Sequence, residues 1–81
     1  LLTDKNRFMN HLLCRSKLLG MRLSKREAEC IYYIIRGMTI KQIAYKLALS
    51  PRTIESYVLN AKHRLSCRSR YELIDKVLRI S

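Results

Sequence analysis

The sequence predicts an all-α fold: a compact four-helix unit with an additional N-terminal helix or linker segment ahead of it. Three observations carry that expectation. Only two glycines and one proline punctuate the 81 residues, too little turn chemistry for a many-stranded sheet. Apolar residues recur at spacings of three and four, the period of a helix with one buried face. Helix-start signals, a Ser or Thr followed three residues on by Glu or Gln, return along the chain. Hydrophobic residues make up 48% of the sequence, enough for a packed core, although a chain this short holds one domain at most.

Each element has its own justification. Residues 3–19 carry Phe8, Met9, Leu12, Leu13, Leu18 and Leu19 in a loose helical period that ends near Gly20. Ser24 opens a second helix with Glu27 completing a capping box; Ala28, Ile31, Ile34 and Ile35 follow at helical spacing, and Gly37 stops it. Thr39 opens a short third helix with Gln42 as its reciprocal cap and Ile43, Ala44 and Leu47 as its inner stripe. Ser50 caps a fourth helix over residues 51–65, with Pro51 at the first helical position, where a missing N–H costs nothing. Ile54, Tyr57, Val58, Ala61 and Leu65 face inward on it. After a break at 66–68, Ser69 and Glu72 read as another capping box, opening a last helix that carries Leu73, Ile74, Val77, Leu78 and Ile80.

The charge balance limits function more than the fold does. Seventeen Lys and Arg against six Asp and Glu leave a formal +11. A domain that basic attracts polyanions, nucleic acid being the usual one, and a merely solvated basic surface is the bland alternative. No apolar run approaches the ~20 residues of a membrane span and no signal-peptide pattern opens the chain, so a soluble, cytoplasmic protein without a membrane partner is expected. Cys14, Cys30 and Cys67 are widely spaced, and His11 and His63 complete no zinc spacing. They are expected to be buried free thiols in a reducing compartment, with no metal and no cofactor. No Ser-His-Asp pattern, glycine-rich phosphate loop or paired carboxylates point to an enzyme. The chain begins at Leu1, so a piece of a longer protein is expected.

The third and fourth helices have the requirements of a helix-turn-helix, in which the second helix lies in the DNA major groove and the first braces it. Ala44 is small where the helices cross, Leu49 anchors the turn, and Ser50 supplies the new N-cap. The outer positions of the fourth helix are Arg52, Glu55, Ser56, Leu59, Asn60 and His63. Arg suits guanine, Asn suits adenine, and Glu accepts from cytosine N4. An ordinary solvated helix face would also be polar; the Ala44, Leu49, Ser50 spacing and the positive charge favour DNA reading.

Over residues 23 to about 80 the chain resembles the LuxR-type (LuxR/GerE) helix-turn-helix domain of bacterial transcription regulators. The family's opening L-S/T-x-R-E is matched by Leu23, Ser24, Arg26 and Glu27. Its core, G-x-S/T-x-x-x-I-A-x-x-L-x-I/L-S-x-x-T-V/I, is matched by Gly37, Thr39, Ile43, Ala44, Leu47, Leu49, Ser50, Thr53 and Ile54. Asn60, Arg64 and Leu65 fit the end of the recognition helix, and Arg70 fits an arginine before the last helix. The resemblance implies sequence-specific binding of double-stranded DNA by a bacterial transcription regulator, with residues 51–65 as recognition helix. It also implies a homodimer on DNA through the last helix, 69–80, contact with RNA polymerase, and a receiver or small-ligand domain on the N-terminal side. On that reading residues 1–22 are a linker or helix left from the larger protein, and residues 23–81 are the DNA-binding domain.

Three departures bear on specificity. The family often has Glu at Gln42, a basic residue at Glu55 and His at Tyr57. Glu55 repels phosphate, so it is expected to read a base, pair with Arg52 or exclude wrong sequences. Tyr57 can bury its ring and offer its hydroxyl to a phosphate. Thr39, Lys41 and Thr53 are the expected phosphate contacts, helped by the helix dipole, and Arg52, Ser56, Leu59 and Asn60 the base contacts, Leu59 suiting a thymine methyl. Ser50, Tyr57, His63 and Arg64, with Lys62, complete the expected interface. Arg26 and Glu27 are expected to be structural, whereas Arg68 and Arg70 add charge near phosphates or cap the last helix. The alternatives are a sigma-factor-like promoter-recognition domain and a basic helical module for protein or membrane-surface association.

Overall fold

Five helices follow in order in the computed structural model, which describes residues 4–80: α1 (Lys5–Leu18), α2 (Lys25–Ile35), α3 (Ile40–Leu47), α4 (Pro51–Arg64) and α5 (Arg70–Ile80). The fold is all-α, the four-helix unit being joined by an ordered N-terminal helix. The start expected at Thr3 and the last residue, Ser81, lie outside the described residues.

Side-chain caps set where the helices begin. Asp4 Oδ1 accepts from the Arg7 N–H at 3.1 Å, satisfying one of the donors that a helix start leaves over. At α2 both arms of the capping box form: Ser24 Oγ accepts from Glu27 N–H at 3.1 Å and Glu27 Oε1 accepts from Ser24 N–H at 2.8 Å. Thr39 and Gln42 repeat the device at α3. At α5 the box takes another form than expected. Ser69 Oγ accepts from Glu72 N–H at 3.1 Å, but the Glu72 carboxylate reaches past Ser69 to the Arg68 N–H at 2.9 Å.

Helix ends are made by left-handed residues. Gly37 takes φ 87°, and the Met38 N–H turns back to the Tyr33 carbonyl at 3.1 Å. Ala48 takes φ 56°, where the Leu49 N–H reaches the Ala44 carbonyl at 2.9 Å and the chain swings into α4. A β-carbon in that region costs about 1–2 kcal/mol, which the flanking hydrogen bonds and the burial of both helices offset.

The inner stripes converge on α2, which packs against all the other helices. Ile31, Ile43, Ile54, Leu65, Leu73 and Val77 are fully buried; each such side chain contributes about 1.5–3 kcal/mol of transfer free energy. α1 belongs to the same core. Phe8, Met9 and Leu12 are at most 5% exposed, and the Phe8 ring packs against that of Tyr32 in a tilted arrangement, 5.6 Å between centroids. Leu18 and Leu19 depart from the expected apolar stripe and are exposed, 74% and 53%. Phe8, Leu12 and Ser16 define the inner face of α1; Leu18 lies off it, and Leu19 is the cap residue at which the chain turns away.

Among the described residues, no helix is long and apolar enough to cross a membrane.

Candidate nucleic-acid interface

The buried side of α4 fixes what its other side presents. Ile54, Val58 and Ala61 are buried, and Tyr57 is half-buried against the core. With that stripe inside, Arg52, Glu55, Ser56, Leu59, Asn60 and His63 stand exposed on the outer face. Arg52, Glu55, Ser56 and Leu59 line one shallow concavity, and Leu59, 52% exposed, is its apolar member. The ion pairs among the described residues are Lys5–Glu29, Arg26–Glu29, Arg64–Glu27 and Arg79–Asp75, so Arg52 and Glu55 are not joined.

The start of α3 borders this face. Ile40, in its first turn, lines a groove with Val58, Leu59 and Glu55 of α4 and Arg70 of α5. Thr39 is engaged in its cap: its Oγ1 accepts from Gln42 N–H at 3.2 Å and its own N–H donates to Gln42 Oε1 at 2.8 Å. The neutral Gln42 therefore closes the box, and Lys41 beside it is exposed. Ser50 and Thr53 are likewise linked, their hydroxyls 2.8 Å apart and Thr53 N–H donating to Ser50 Oγ at 3.2 Å.

Three of the arginines singled out in the sequence have structural partners. Arg64 Nε lies 3.1 Å from Glu27 Oε1, and Arg64 is turned toward α2 rather than along the outer face. Arg70 donates to the Met38 carbonyl at 3.3 Å, tying the start of α5 to the turn before α3. Arg26 pairs with Glu29 at 2.8 Å, whereas Glu27 combines the cap with the Arg64 ion pair.

Sequence reasoning passed over Tyr45, 91% exposed on α3 between Lys41 and Lys46. Its place off the Ile43, Ala44, Leu47 stripe is the signal that could have found it. A Lys5–Glu29–Tyr33 cluster was also missed, because Lys5 lies far in sequence from the other two, which are one turn apart on α2. Lys5 Nζ donates to Glu29 Oε2 at 2.6 Å and to Tyr33 Oη at 2.8 Å. Burial opposes the Lys5 charge, but hydrogen bonds and attraction to Glu29 and Tyr33 outweigh it and hold its pKa above the ordinary value. For Glu29 burial is likewise overcome, here by Lys5 and Arg26, and its carboxyl titrates lower than usual.

The cysteines divide into three environments. Cys30 is buried, and burial, with the nearby Glu29 charge, pushes its thiol up to about 11. Cys67 is half-buried and raised by burial, whereas Cys14 is exposed on the outer side of α1, against the expectation that all three are buried. Among the described residues no group of three or more His, Cys, Asp or Glu could hold a metal ion.

A short buttressing helix, an αL turn and a second helix with a polar outer face over a buried stripe make up a DNA-binding helix-turn-helix. Residues 21–77 match the bacterial regulatory proteins of the luxR family, and the chain belongs to that family. It is similar to the spore germination protein GerE of Bacillus subtilis, 31% identical over 58 residues that cover 72% of this chain and 78% of GerE. It is 38% identical to the transcriptional regulatory protein FixJ of Azorhizobium caulinodans over 69% of this chain and 26% of FixJ. An uncharacterized response regulatory protein of Escherichia coli, YgeK, is 41% identical over 72% of this chain and 40% of its own length. The chain thus spans about a quarter of FixJ and well under half of YgeK. No solved structure gives a significant match. The α1 helix, Lys5–Leu18, precedes the family-matched segment.

Proposed function

We propose that the chain binds double-stranded DNA sequence-specifically as part of a bacterial transcription regulator, with α4 lying in the major groove. The observation that carries this reading is the exposed row of Arg52, Glu55, Ser56, Leu59 and Asn60 above the buried Ile54, Val58 and Ala61, in a domain of formal charge +11. Base contacts fall to that row. Phosphate contacts fall to Lys41 and the first turn of α3, with Thr39, Ser50 and Thr53 at the two helix starts, and to Tyr57 and His63 along α4. Arg64 acts by holding α4 in place on Glu27. Transcription regulation places the protein in the bacterial cytoplasm, with RNA polymerase as a partner, and gives it no catalytic role.

Dimerisation on DNA through α5 rests on Tyr71, Ile74 and Leu78, which are spaced three and four apart on one side of that helix. Tyr71 is 83% exposed and Leu78 49%, on either side of Ile74, which is half-buried against the core, so the two exposed side chains are apolar surface beyond what the core uses.

A salt-titrated binding assay tests the reading. The logarithm of duplex affinity is expected to fall linearly with log salt, by about 0.9 in slope per phosphate contact. Lys41→Ala should weaken all sequences alike, whereas Arg52→Ala or Asn60→Ala should relax base preference. Footprints of two half-sites about one helical turn apart are expected. Salt-insensitive binding to vesicles without duplex binding would overturn the proposal, and one asymmetric footprint that requires polymerase would replace it by a sigma-factor-like role.

A further inference from the structure

The concavity on the outer face of α4 joins a guanidinium, a carboxylate, a hydroxyl and an isobutyl group, from Arg52, Glu55, Ser56 and Leu59. Arg52 and Glu55 are three residues apart, the spacing at which a helix usually closes an ion pair. They do not close one here, although Arg26 and Glu29 do at the same spacing with 2.8 Å between them. Both reading charges are left available, and a carboxylate on a surface facing phosphate is unfavourable unless a base donor meets it. In the major groove cytosine offers its N4 amine alone. Adenine places an acceptor, N7, beside its amine, and guanine and thymine present acceptors where a carboxylate is repelled.

The rise of 1.5 Å per residue separates Arg52 from Glu55 by about 4.5 Å along the axis and Glu55 from Leu59 by about 6 Å. A base step is about 3.4 Å, so these intervals correspond to about one and two steps. Resting on the reading of α4 as the major-groove helix, we propose that Glu55 is the specificity-determining residue of this domain, and that it selects a cytosine about one step from a guanine held by Arg52. Leu59 packs on a thymine methyl about two steps beyond the cytosine. Glu55 works in two directions: it accepts from cytosine N4, and it rejects the oxygen acceptors of guanine and thymine.

The experiment is selection of bound duplexes from a random pool by the full chain and by Glu55→Ala, followed by affinities on the selected site and on the same site with that C·G pair changed to T·A. The unmodified chain is expected to lose about 5- to 150-fold on the changed site, the range of one good base contact. Glu55→Ala should bind both sites within about twofold, and bind random duplex more tightly than the parent because one repulsive charge is gone. Selection of the same cytosine by Glu55→Ala would overturn the proposal while leaving α4 as the DNA-reading helix. Absence of duplex binding by the unmodified chain would overturn the underlying reading as well. Glu55→Gln separates charge from shape. Its amide can both donate and accept, so adenine is expected to gain at the cost of cytosine.

Discussion

Arg64, in the last turn of the recognition helix, lies 3.1 Å through its Nε from Oε1 of Glu27, the residue that caps the start of α2. Glu27 is 3% exposed, so the contact gives a buried carboxylate its counter-charge and fastens α4 to the central helix at one stroke. Removing one member of a fully buried pair costs roughly 3–5 kcal/mol. Here the guanidinium side is 45% exposed and water can partly replace it. Arg64→Ala is therefore expected to destabilise by about 1–3 kcal/mol in urea unfolding, and to weaken all DNA sequences by a similar factor. A change in base preference with stability intact would make Arg64 a base contact instead.

The N-terminal helix should behave as part of the core. Phe8 is 1% exposed and packs against the Tyr32 ring, so Phe8→Ala is expected to cost about 3–5 kcal/mol. Total stability for a chain this size is on the order of 4–12 kcal/mol, and a fall of that size is readily measured by thermal unfolding. Leu18→Ala, at a 74% exposed position on the same helix, should change stability by under about 0.5 kcal/mol. Equal effects of the two would show α1 to be detached from the core.

The pH profile of stability should have two limbs from the Lys5–Glu29 contact. Glu29 titrates below its ordinary 4.5 in the folded state, so its contribution is present above that value and is lost as pH falls through the lowered one. Lys5 titrates above its ordinary 10.5, so its contribution is complete below that pH and is lost as pH rises through the raised value. Each limb is expected to amount to about 1 kcal/mol at most, since the pair is partly open to solvent. Urea midpoints measured against pH should lose the alkaline limb in Lys5→Met and keep part of the acid limb, because Arg26 still pairs with Glu29. An unchanged alkaline limb in that variant would rule out the assignment.

Thiol reactivity should follow burial. Exposed Cys14 is expected to react with a small alkylating reagent first. Cys67 should follow slowly, and Cys30, its thiol held near 11, should react only on unfolding. Mass-resolved labelling of the native chain checks this order, and early modification of Cys30 would contradict the packing of α2.

Much of this was legible in the sequence because helix starts are local. Ser24 with Glu27 and Thr39 with Gln42 satisfy backbone donors within one turn, Ser50 accepts from the Thr53 N–H while Pro51 brings no N–H to satisfy, and the helices begin where those residues say. The polar outer row of α4 was legible for the same reason, since the Ile54, Val58, Ala61 period settles which side is buried. What was hidden depends on contacts distant in sequence. Nothing near Arg64 announces Glu27, and nothing near Lys5 announces Tyr33 or Glu29. The turn residue Ala48 was hidden for another reason, as alanine gives no sign of the left-handed conformation that the crossing of α3 and α4 imposes on it. Glu72 shows how close a local rule can come, its carboxylate reaching one residue beyond the expected N–H.

The most direct measurement is amide chemical-shift mapping of the full chain titrated with its selected duplex. If α4 reads the major groove, the largest changes should fall on Arg52, Glu55, Ser56, Leu59 and Asn60 and on the first turn of α3, with the exposed side of α1 unchanged. Largest changes along the basic outer side of α1, with α4 silent, would contradict the assignment and make the +11 charge a general polyanion surface.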